Sequence, residues 1–223
     1  MPELALNLLE RPGQLRDGAA ELIREAIVIG RARSGEILRL APLAEQIGIS
    51  ITPVREALLQ LAQEGWVIQE PNKGFRVAPI RRNDVEDTYF VHEALVAELA
   101  VRAASRIKPP DIERMRSIDE SINALGNHDL DAERLNYALH QVIYTAADAP
   151  RIEWFVAAAS RFVPRQFWGT VPGWFEHNRT GHKPIIDCLE RGDAEAAGAA
   201  MSAHIAGARK LLLSYLDSIS IWS

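Results

Sequence analysis

The chain has 223 residues, of which 48% are hydrophobic and 25% are charged, an ordinary globular composition with room for two domains. Its formal net charge is −5, which excludes a protein that is basic over its whole surface. The lone cysteine, Cys188, excludes an intrachain disulfide. Because no apolar stretch could span a bilayer and no signal-peptide pattern is present, we expect a cytoplasmic protein without a membrane partner.

The first part of the chain predicts two helices. Residues 1–14 contain two prolines and a glycine and predict a flexible arm. A helix is predicted from Leu15, where apolar residues begin to recur at helical spacing, to Gly30, which suits a helix end. A short second helix covers Leu43–Ile47, and Gly48 after it can adopt the left-handed conformation of a tight turn.

The stretch from Ser50 to Trp66 predicts a third helix with one buried face. Ser50 can cap this helix through its hydroxyl, and Pro53 is tolerated in its first turn. The apolar residues at i, i+3, i+4 and i+7 are Val54, Ala57, Leu58 and Leu61. Its exposed start also carries Thr52 and Arg55, and such hydroxyls and cations contact phosphates and base edges in a major groove. Helix, glycine turn and helix form the helix-turn-helix pattern.

A β-hairpin is predicted after this helix. Gly65 ends the helix, residues 66–69 and 75–77 read as strands, and residues 71–74 read as a turn. The hairpin would form a wing with Lys73 and Gly74 at its tip. Residues 1–80 carry nine Lys/Arg and ten Asp/Glu, so any DNA affinity would depend on a few locally placed cations and on dimerisation.

Residues 15–80 resemble the winged helix-turn-helix of GntR-type transcription regulators. The resemblance rests on the TPVREAL run of Thr52–Leu58 and on the glycine-containing wing at 72–77. The sequence departs from the family at Ile51, where an arginine is usual, and at Ala41-Pro42, where polar or basic residues are common. The resemblance implies DNA contacts from Ser50, Thr52, Pro53, Arg55, Lys73 and Gly74.

Beyond a short linker at 80–83, strand signals vanish and the sequence predicts an all-helical domain over 84–223. The expected helices cover 84–106, 110–125, 129–147, 151–168, 174–190 and 194–217. The fold class is therefore mainly α. A winged helix-turn-helix of three helices and a β-hairpin, over 15–79, precedes an antiparallel helical bundle.

Histidines in the bundle have the spacing of a metal site. In an antiparallel helical hairpin that turns at 191–193, His182 and His204 are equidistant from the turn and should face each other. On an earlier helix, Asn136 and His140 are spaced i, i+4 and share a face. Three imidazoles and an amide oxygen would suit Zn²⁺, Ni²⁺ or a similar ion, with positions left open. The alternative is that these histidines form hydrogen bonds in the core or are exposed.

The same region resembles the FCD domain, the C-terminal ligand-binding domain of the FadR subfamily. The matching residues include Asn136, His140, Gly181-His182, Gly192-Asp193 and His204. The resemblance implies a divalent metal, Zn or Ni, and a small carboxylate effector. The implied metal ligands are Asn136 in the place of the usual aspartate, His140, His182 and His204. Because an amide is neutral, we expect weaker metal binding and a more positive site.

An acidic effector would need a cation nearby. Arg161 and Arg165 lie beside aromatic residues on the expected helix 151–168 and could clamp a carboxylate. The alternative is that these arginines are solvated on the bundle surface. His92, where FCD sequences commonly have an arginine, is interpreted as structural or exposed, and His177 as a loop residue. The aromatic residues interpreted as core are Trp154, Phe155, Phe162 and Trp174.

We therefore expect a homodimeric transcription regulator, a repressor, that binds double-stranded operator DNA and senses a small organic acid in its helical domain. Two alternatives stay open. A metal-dependent hydrolase could activate water at the three-histidine site, although no catalytic carboxylate or nucleophile–base pattern accompanies it. A metal-free acyl-CoA sensor of the fatty-acid regulator type would not need the three histidines.

Overall fold

A computed structural model describes residues 12–71, 74–125, 131–163 and 165–222, without the side chains of residues 12, 165 and 166. The chain forms two compact units, which are described separately. The first comprises Met1–Arg81 with Ile219–Ser223, and the second comprises Arg82–Ser218. Among the described residues, no helix contains an apolar run of the length needed to span a bilayer.

The first unit is a winged helix-turn-helix. Its elements are α1 (Pro12–Val28), β1 (Ile37–Leu38), α2 (Leu40–Ile47), α3 (Ile51–Gln63), β2 (Val67–Glu70) and β3 (Gly74–Val77). α3 packs against both α1 and α2. The antiparallel sheet has the order β1-β3-β2, with Ile37 and Ile68 on either side of Arg76. The hairpin prediction is confirmed, but β1 was missed because two residues are too few to have a readable period.

The buried face of α3 is the one that the sequence predicts. Val54, Ala57, Leu58 and Leu61 are all 0% exposed. Gly48 ends α2 in the left-handed region at φ 78° and ψ 28°, and its N–H donates to the carbonyls of Ala44 and Glu45. This geometry explains the glycine, because a side chain at positive φ is strained.

Two boundaries of the first unit differ from expectation. α1 begins at Pro12 rather than at Leu15, so the flexible arm predicted for 1–14 is wrong for its last three residues. A proline suits the first turn of a helix, where the N–H that it lacks would have no partner in the helix. The rest of the predicted arm, residues 1–11, lies outside the described residues.

The second unit is an all-helical bundle. Its helices are α4 (Arg82–Ala104), α5 (Pro109–Ala124), α6 (Asp131–Ala147), α7 (Pro150–Ser160), α8 (Trp174–Glu190) and α9 (Ala194–Ser218), with a 3₁₀ helix at Arg165–Thr170. α4 is the central helix, since it packs against α6, α7, α8 and α9. α8 and α9 form a helical hairpin through Gly192, which has φ 67°. The prediction of a mainly α fold is confirmed.

The main error in the bundle concerns the helix expected over 151–168. α7 ends at Ser160, a turn follows, and the chain resumes as the 3₁₀ helix. The sequence has a proline at 164, which lacks the N–H of a continuing helix and whose ring would clash with the carbonyl four residues earlier. The expected linker 80–83 is also shorter than predicted, because α4 begins at Arg82.

Candidate DNA-binding surface and metal site

The start of α3 exposes most of the residues expected to contact DNA. Ser50, Thr52 and Arg55 are exposed, whereas Pro53 is buried. Pro53 therefore packs inside the unit at the first turn of α3. The DNA contact expected from Pro53 is wrong for its side chain, because that side chain is buried. Ser50 is the N-cap residue of α3, but its side chain makes no capping hydrogen bond, contrary to expectation. Its exposed hydroxyl is available to an outside acceptor.

Some arginines of the first unit form ion pairs with acidic residues of the same unit. Arg24 is 4% exposed and binds Glu64, and Arg76 of β3 donates to Glu70 at 2.8 Å. The exposed arginines that have no ion pair within the described residues of this unit are Arg31, Arg33, Arg39 and Arg55. These side chains are the ones that can neutralise phosphates without breaking a contact.

Arg39 is a candidate that the sequence analysis missed. It is the N-cap residue of α2, the helix before α3, and it is exposed. Nothing in its local sequence distinguishes it from other surface arginines. It is singled out by its position at the start of α2 and by the lack of an ion pair with any residue that the structure describes.

At the wing, the structure describes the backbone of Gly74 but not the expected cation. Gly74 begins β3, is exposed and has φ 96°, a conformation that strains any residue with a side chain. Lys73, the cation expected at the wing tip, lies outside the described residues.

Three buried histidines of the second unit meet as the sequence predicts. His182 of α8 and His204 of α9 have ring centroids 4.8 Å apart, and His140 of α6 lies 5.5 Å from His182 and 5.4 Å from His204. One nitrogen from each ring can be chosen so that all three lie within 4.8 Å of one another. The fourth expected residue, Asn136, has its Oδ1 3.0 Å from Nε2 of His182. The prediction that these four residues converge is confirmed.

This cluster has dimensions that fit one metal ion. With bonds of about 2.1 Å, three imidazoles on one Zn²⁺ have ring centroids about 4.5–5.2 Å apart. The observed separations of 4.8–5.5 Å lie close to that range. Nδ1 of His204 is buried and has no hydrogen-bond partner among the described residues, so the protein does not occupy this nitrogen with a contact of its own. The donor set of three imidazoles and an amide oxygen suits Zn²⁺ or Ni²⁺.

The protein holds the imidazoles of His140 and His204 neutral. Burial, helped by the neighbouring histidines, lowers the pKa of His140 and of His204 well below the ordinary value. Burial alone lowers the pKa of half-buried His92 to about 4. A neutral imidazole has a free lone pair, which is the form that binds a metal.

Two glycines make room for the packed rings. A Cβ added at Gly181 would lie 2.3 Å from Nδ1 of His204, and one added at Gly207 would lie 2.5 Å from Cε1 of His177. His177 lies on α8, not in a loop as expected. Its ring stacks on that of His204 at 4.7 Å and 8°, and its Nε2 lies 2.9 Å from the carbonyl oxygen of His204. His177 therefore supports the cluster from one side.

Asp119 is a second residue that the sequence analysis missed. It lies on α5, and its Oδ1 is 3.5 Å from Nδ1 of His182. Both atoms are buried, and neither has a hydrogen-bond partner among the described residues. The spacing between α5 and α8 along the chain gives no signal that could have found this contact.

The arginines expected to bind the effector are not grouped on one helix. Arg161 is exposed in the turn after α7, and Arg165 begins the 3₁₀ helix, where its side chain is not described. A clamp on a continuous helix is therefore a wrong prediction. Trp154 and Phe155 are 61% and 56% exposed, so their interpretation as core residues is also wrong.

Other buried polar groups on α8 were not singled out by the sequence. Asn178 is 1% exposed, and its Oδ1 and Nδ2 have no hydrogen-bond partner in the described structure. The same holds for Nε1 of Trp174, which is 4% exposed. Trp174, Asn178 and His182 follow one another at intervals of four residues and so share one face of α8.

A winged helix-turn-helix with an exposed recognition helix, followed by a helical bundle that buries a histidine cluster, defines a class of DNA-binding transcription regulators. Residues 15–77 match the bacterial regulatory proteins of the gntR family, and residues 87–207 match the FCD domain. The chain belongs to the GntR family and has an FCD domain as its helical part. The function of this family is regulation of transcription rather than catalysis, so the hydrolase alternative is set aside.

Similar proteins include named repressors. A probable D-xylose utilization operon transcriptional repressor of Paenarthrobacter nicotinovorans is 27% identical over 198 residues, which are 86% of this chain and 87% of the relative. The HTH-type transcriptional repressor RspR of Escherichia coli is 26% identical over 190 residues, 82% of either chain. The solved structure of E. coli McbR/YncC covers 90% of this chain and 98% of its own, with a TM-score of 0.68 and 21% identity, a likeness of fold.

Proposed function

We propose that the protein is a homodimeric repressor whose binding to an operator is controlled by a small carboxylate effector together with a divalent metal in the FCD domain. The observation that carries the proposal is the buried cluster of His140, His182 and His204 with Asn136 at 3.0 Å from His182. A purely structural core would gain more from apolar residues, because every buried polar atom without a partner costs about 1–3 kcal/mol.

The metal supplies a positive charge that attracts an anion. None of the four proposed ligands is an anionic side chain, since three are imidazoles and Asn136 is an amide. The complex would therefore keep a net positive charge inside a poorly solvated site, where electrostatic attraction is strong. A carboxylate of the effector is the ligand that best satisfies this charge.

The unpartnered groups on α8 support an effector with several oxygens. The indole N–H of Trp174 and the amide of Asn178 are buried donors without a partner in the described structure. They share a face with His182, so an acid that binds the metal could also accept hydrogen bonds from this face. We assign the effector contacts to Trp174 and Asn178 in preference to exposed Arg161.

A second copy of the chain would cover an apolar patch of the FCD domain. Phe90 and Val91 of α4 are 68% and 50% exposed, and Trp154 and Phe155 of α7 are 61% and 56% exposed. α4 and α7 pack against each other, and the rings of Trp154 and Phe155 are 4.9 Å apart. Such exposed apolar residues mark protein interfaces. A dimer would also pair two weakly charged winged units on one pseudo-palindromic operator.

The proposal is tested by measuring operator affinity with and without metal and effector. An operator is first selected with the full-length protein from a random duplex library. Fluorescence anisotropy then compares metal-free and Zn²⁺- or Ni²⁺-loaded protein against a panel of small mono-, di- and hydroxycarboxylates, with acyl-CoA esters as a second panel. We expect at least one carboxylate to change the operator Kd about tenfold with metal present and to have little effect without it.

The matched control is the His182→Ala/His204→Ala double variant. It should bind the operator but lose both the metal and the response to the acid. A response of the same size in metal-free protein, or a response to acyl-CoA alone, would contradict the metal-dependent part of the proposal.

The dimer is tested by analytical ultracentrifugation of the Trp154→Asp variant. This variant should sediment as a monomer if α7 lies at the interface.

A further inference from the structure

The second proposal concerns the aspartate beside the histidine cluster. It rests on the proposed metal site, because it assigns a role to a residue that contacts one of the ligands. Asp119 approaches His182 from α5, a helix that supplies no ligand but packs against both α6 and α8, which do. Its side chain is 15% exposed, whereas His182 is 0% exposed.

The two nitrogens of His182 have different neighbours. Nε2 lies 3.0 Å from Oδ1 of Asn136, another proposed ligand, and Nδ1 lies 3.5 Å from Oδ1 of Asp119. Nδ1 of His182 and Oδ1 of Asp119 are both buried and have no hydrogen-bond partner among the described residues. The separation is about 0.5 Å longer than an ordinary hydrogen bond, so a small rotation of either side chain would form one.

A carboxylate in this place has a definite effect on a metal ligand. If Asp119 accepts the proton of Nδ1, the imidazole is fixed in the tautomer whose Nε2 lone pair is free for the metal. The same contact makes Nε2 more basic and holds the ring in its orientation. Asp119 would thus act through His182 without touching the ion.

The charge of the site gives this contact a second purpose. Asn136, which stands in the place of the usual aspartate ligand, is neutral, so the ligand set contains no negative charge. Asp119 places a carboxylate on the outer side of His182 instead. We infer that Asp119 is the positioning residue of the metal site and that it supplies, through His182, the negative charge that Asn136 does not.

The test is a double-mutant cycle in the full chain, in which a carboxylate is removed at position 119 and introduced at position 136. Zn²⁺ and Ni²⁺ affinities are measured by competition with a chromophoric chelator for the parent, Asp119→Asn, Asn136→Asp and the double variant. Loss of the outer carboxylate should weaken metal binding by about 10–100-fold, as is typical for such supporting groups. Asn136→Asp should strengthen binding, and the double variant should return to within about threefold of the parent, because the charge has moved rather than disappeared.

The matched control is Glu120→Gln, which removes the same charge from the neighbouring exposed position of α5. It should leave metal affinity unchanged. A readout that does not depend on any variant is the tautomer of His182 in the Zn²⁺-loaded parent, measured by long-range ¹H–¹⁵N NMR. We expect the proton on Nδ1.

Three outcomes would overturn the inference. Metal affinity of Asp119→Asn within threefold of the parent, with metal bound in both, would refute it while leaving the metal-dependent regulator intact. Metal on Nδ1 of His182 in the NMR spectrum would refute it even if Asp119→Asn failed to fold. A parent that binds neither metal would refute this inference together with the metal part of the proposed function.

Discussion

Gly181 of α8 lies directly against the imidazole of His204 on α9, so that a methyl group on Gly181 would come within 2.3 Å of Nδ1. The neighbour is a ring buried on all sides, which cannot move aside as the end of a flexible chain could. Gly181→Ala should therefore displace His204 and weaken Zn²⁺ binding by at least about tenfold, which a chelator competition would measure.

The control for this substitution is Gly13→Ala in α1. A Cβ at Gly13 meets nothing within 4 Å, so the same change of residue type at this exposed helix start should change the free energy of unfolding by less than about 1 kcal/mol. Circular dichroism should show that Gly181→Ala keeps its helices. If Gly181→Ala bound metal as tightly as Gly13→Ala, the ring of His204 would have to be mobile and the packed cluster would be refuted.

Replacing Arg55 or Arg39 should weaken operator binding more than replacing an arginine of the same unit that is held in an ion pair. Both are exposed and have no ion pair within its described residues, whereas Arg16 is bound to Asp17 at 2.7 Å. We expect Arg55→Ala to weaken operator binding by about 1–3 kcal/mol. Anisotropy titrations over a range of salt concentrations separate two roles, since the loss of a phosphate contact lowers the salt slope by about one.

The paired residue is the control for both variants. Arg16→Ala should change operator affinity by less than about twofold, because this cation already has an acidic partner in Asp17. Arg39→Ala is expected to lower the salt slope without changing which operator sequences are preferred. Wild-type affinity for both Arg39→Ala and Arg55→Ala would remove the start of α2 and α3 from the DNA interface.

Replacing Asn178 by an apolar residue should raise the stability of the protein and abolish its response to the effector. Its amide is buried with both polar atoms unpartnered in the described structure, which is a cost to folding unless a ligand binds them. Asn178→Leu should raise the free energy of unfolding of metal-free protein by about 1–3 kcal/mol, measured by urea denaturation, and should abolish the effector response of operator binding.

Asn178→Asp is the companion variant. It keeps the shape of the side chain but adds a buried negative charge, so it should lower stability and also reject a carboxylate. Loss of the response in both variants, with opposite changes in stability, would separate effector binding from folding. A full response in Asn178→Leu would show that this amide does not contact the effector.

The sequence was most informative where a local rule has a geometric consequence. Gly48 had to end α2 because only glycine takes its φ of 78° without strain, and the apolar spacing of α3 had to be buried. The meeting of His182 and His204 followed from their equal distance from one turn. In each case the deciding residues lie within about a dozen positions of a recognisable signal.

Contacts between distant parts of the chain could not be predicted in this way. Asp119 and His182 are 63 positions apart and meet only because α5 packs against α8. The stacking of His177 on His204 was missed because it depends on the space left by Gly207, which no spacing rule describes. Packing of side chains between helices, rather than secondary structure, is what the sequence alone leaves undetermined.

The stability of the metal-free protein should depend on pH through its buried histidines. An unfolded histidine has a pKa of about 6.5, and the folded values of His140, His204 and His92 are all lower, the last at about 4. Below pH 6.5 the unfolded chain therefore binds more protons than the folded one. Stability is fully present above pH 6.5 and should fall as the pH drops toward the folded pKa values.

Each of these histidines adds a slope of about 1.4 kcal/mol per pH unit below its unfolded pKa. Urea denaturation of chelator-treated protein at pH 7.5, 6.5, 6.0, 5.5 and 5.0 measures the summed slope. His92→Gln should reduce that slope by about one histidine's share, because its own pKa is shifted by burial alone. Unchanged stability between pH 7.5 and 5.0 would mean that the cluster accepts protons when folded, and the neutral ligand set required for metal binding would not exist.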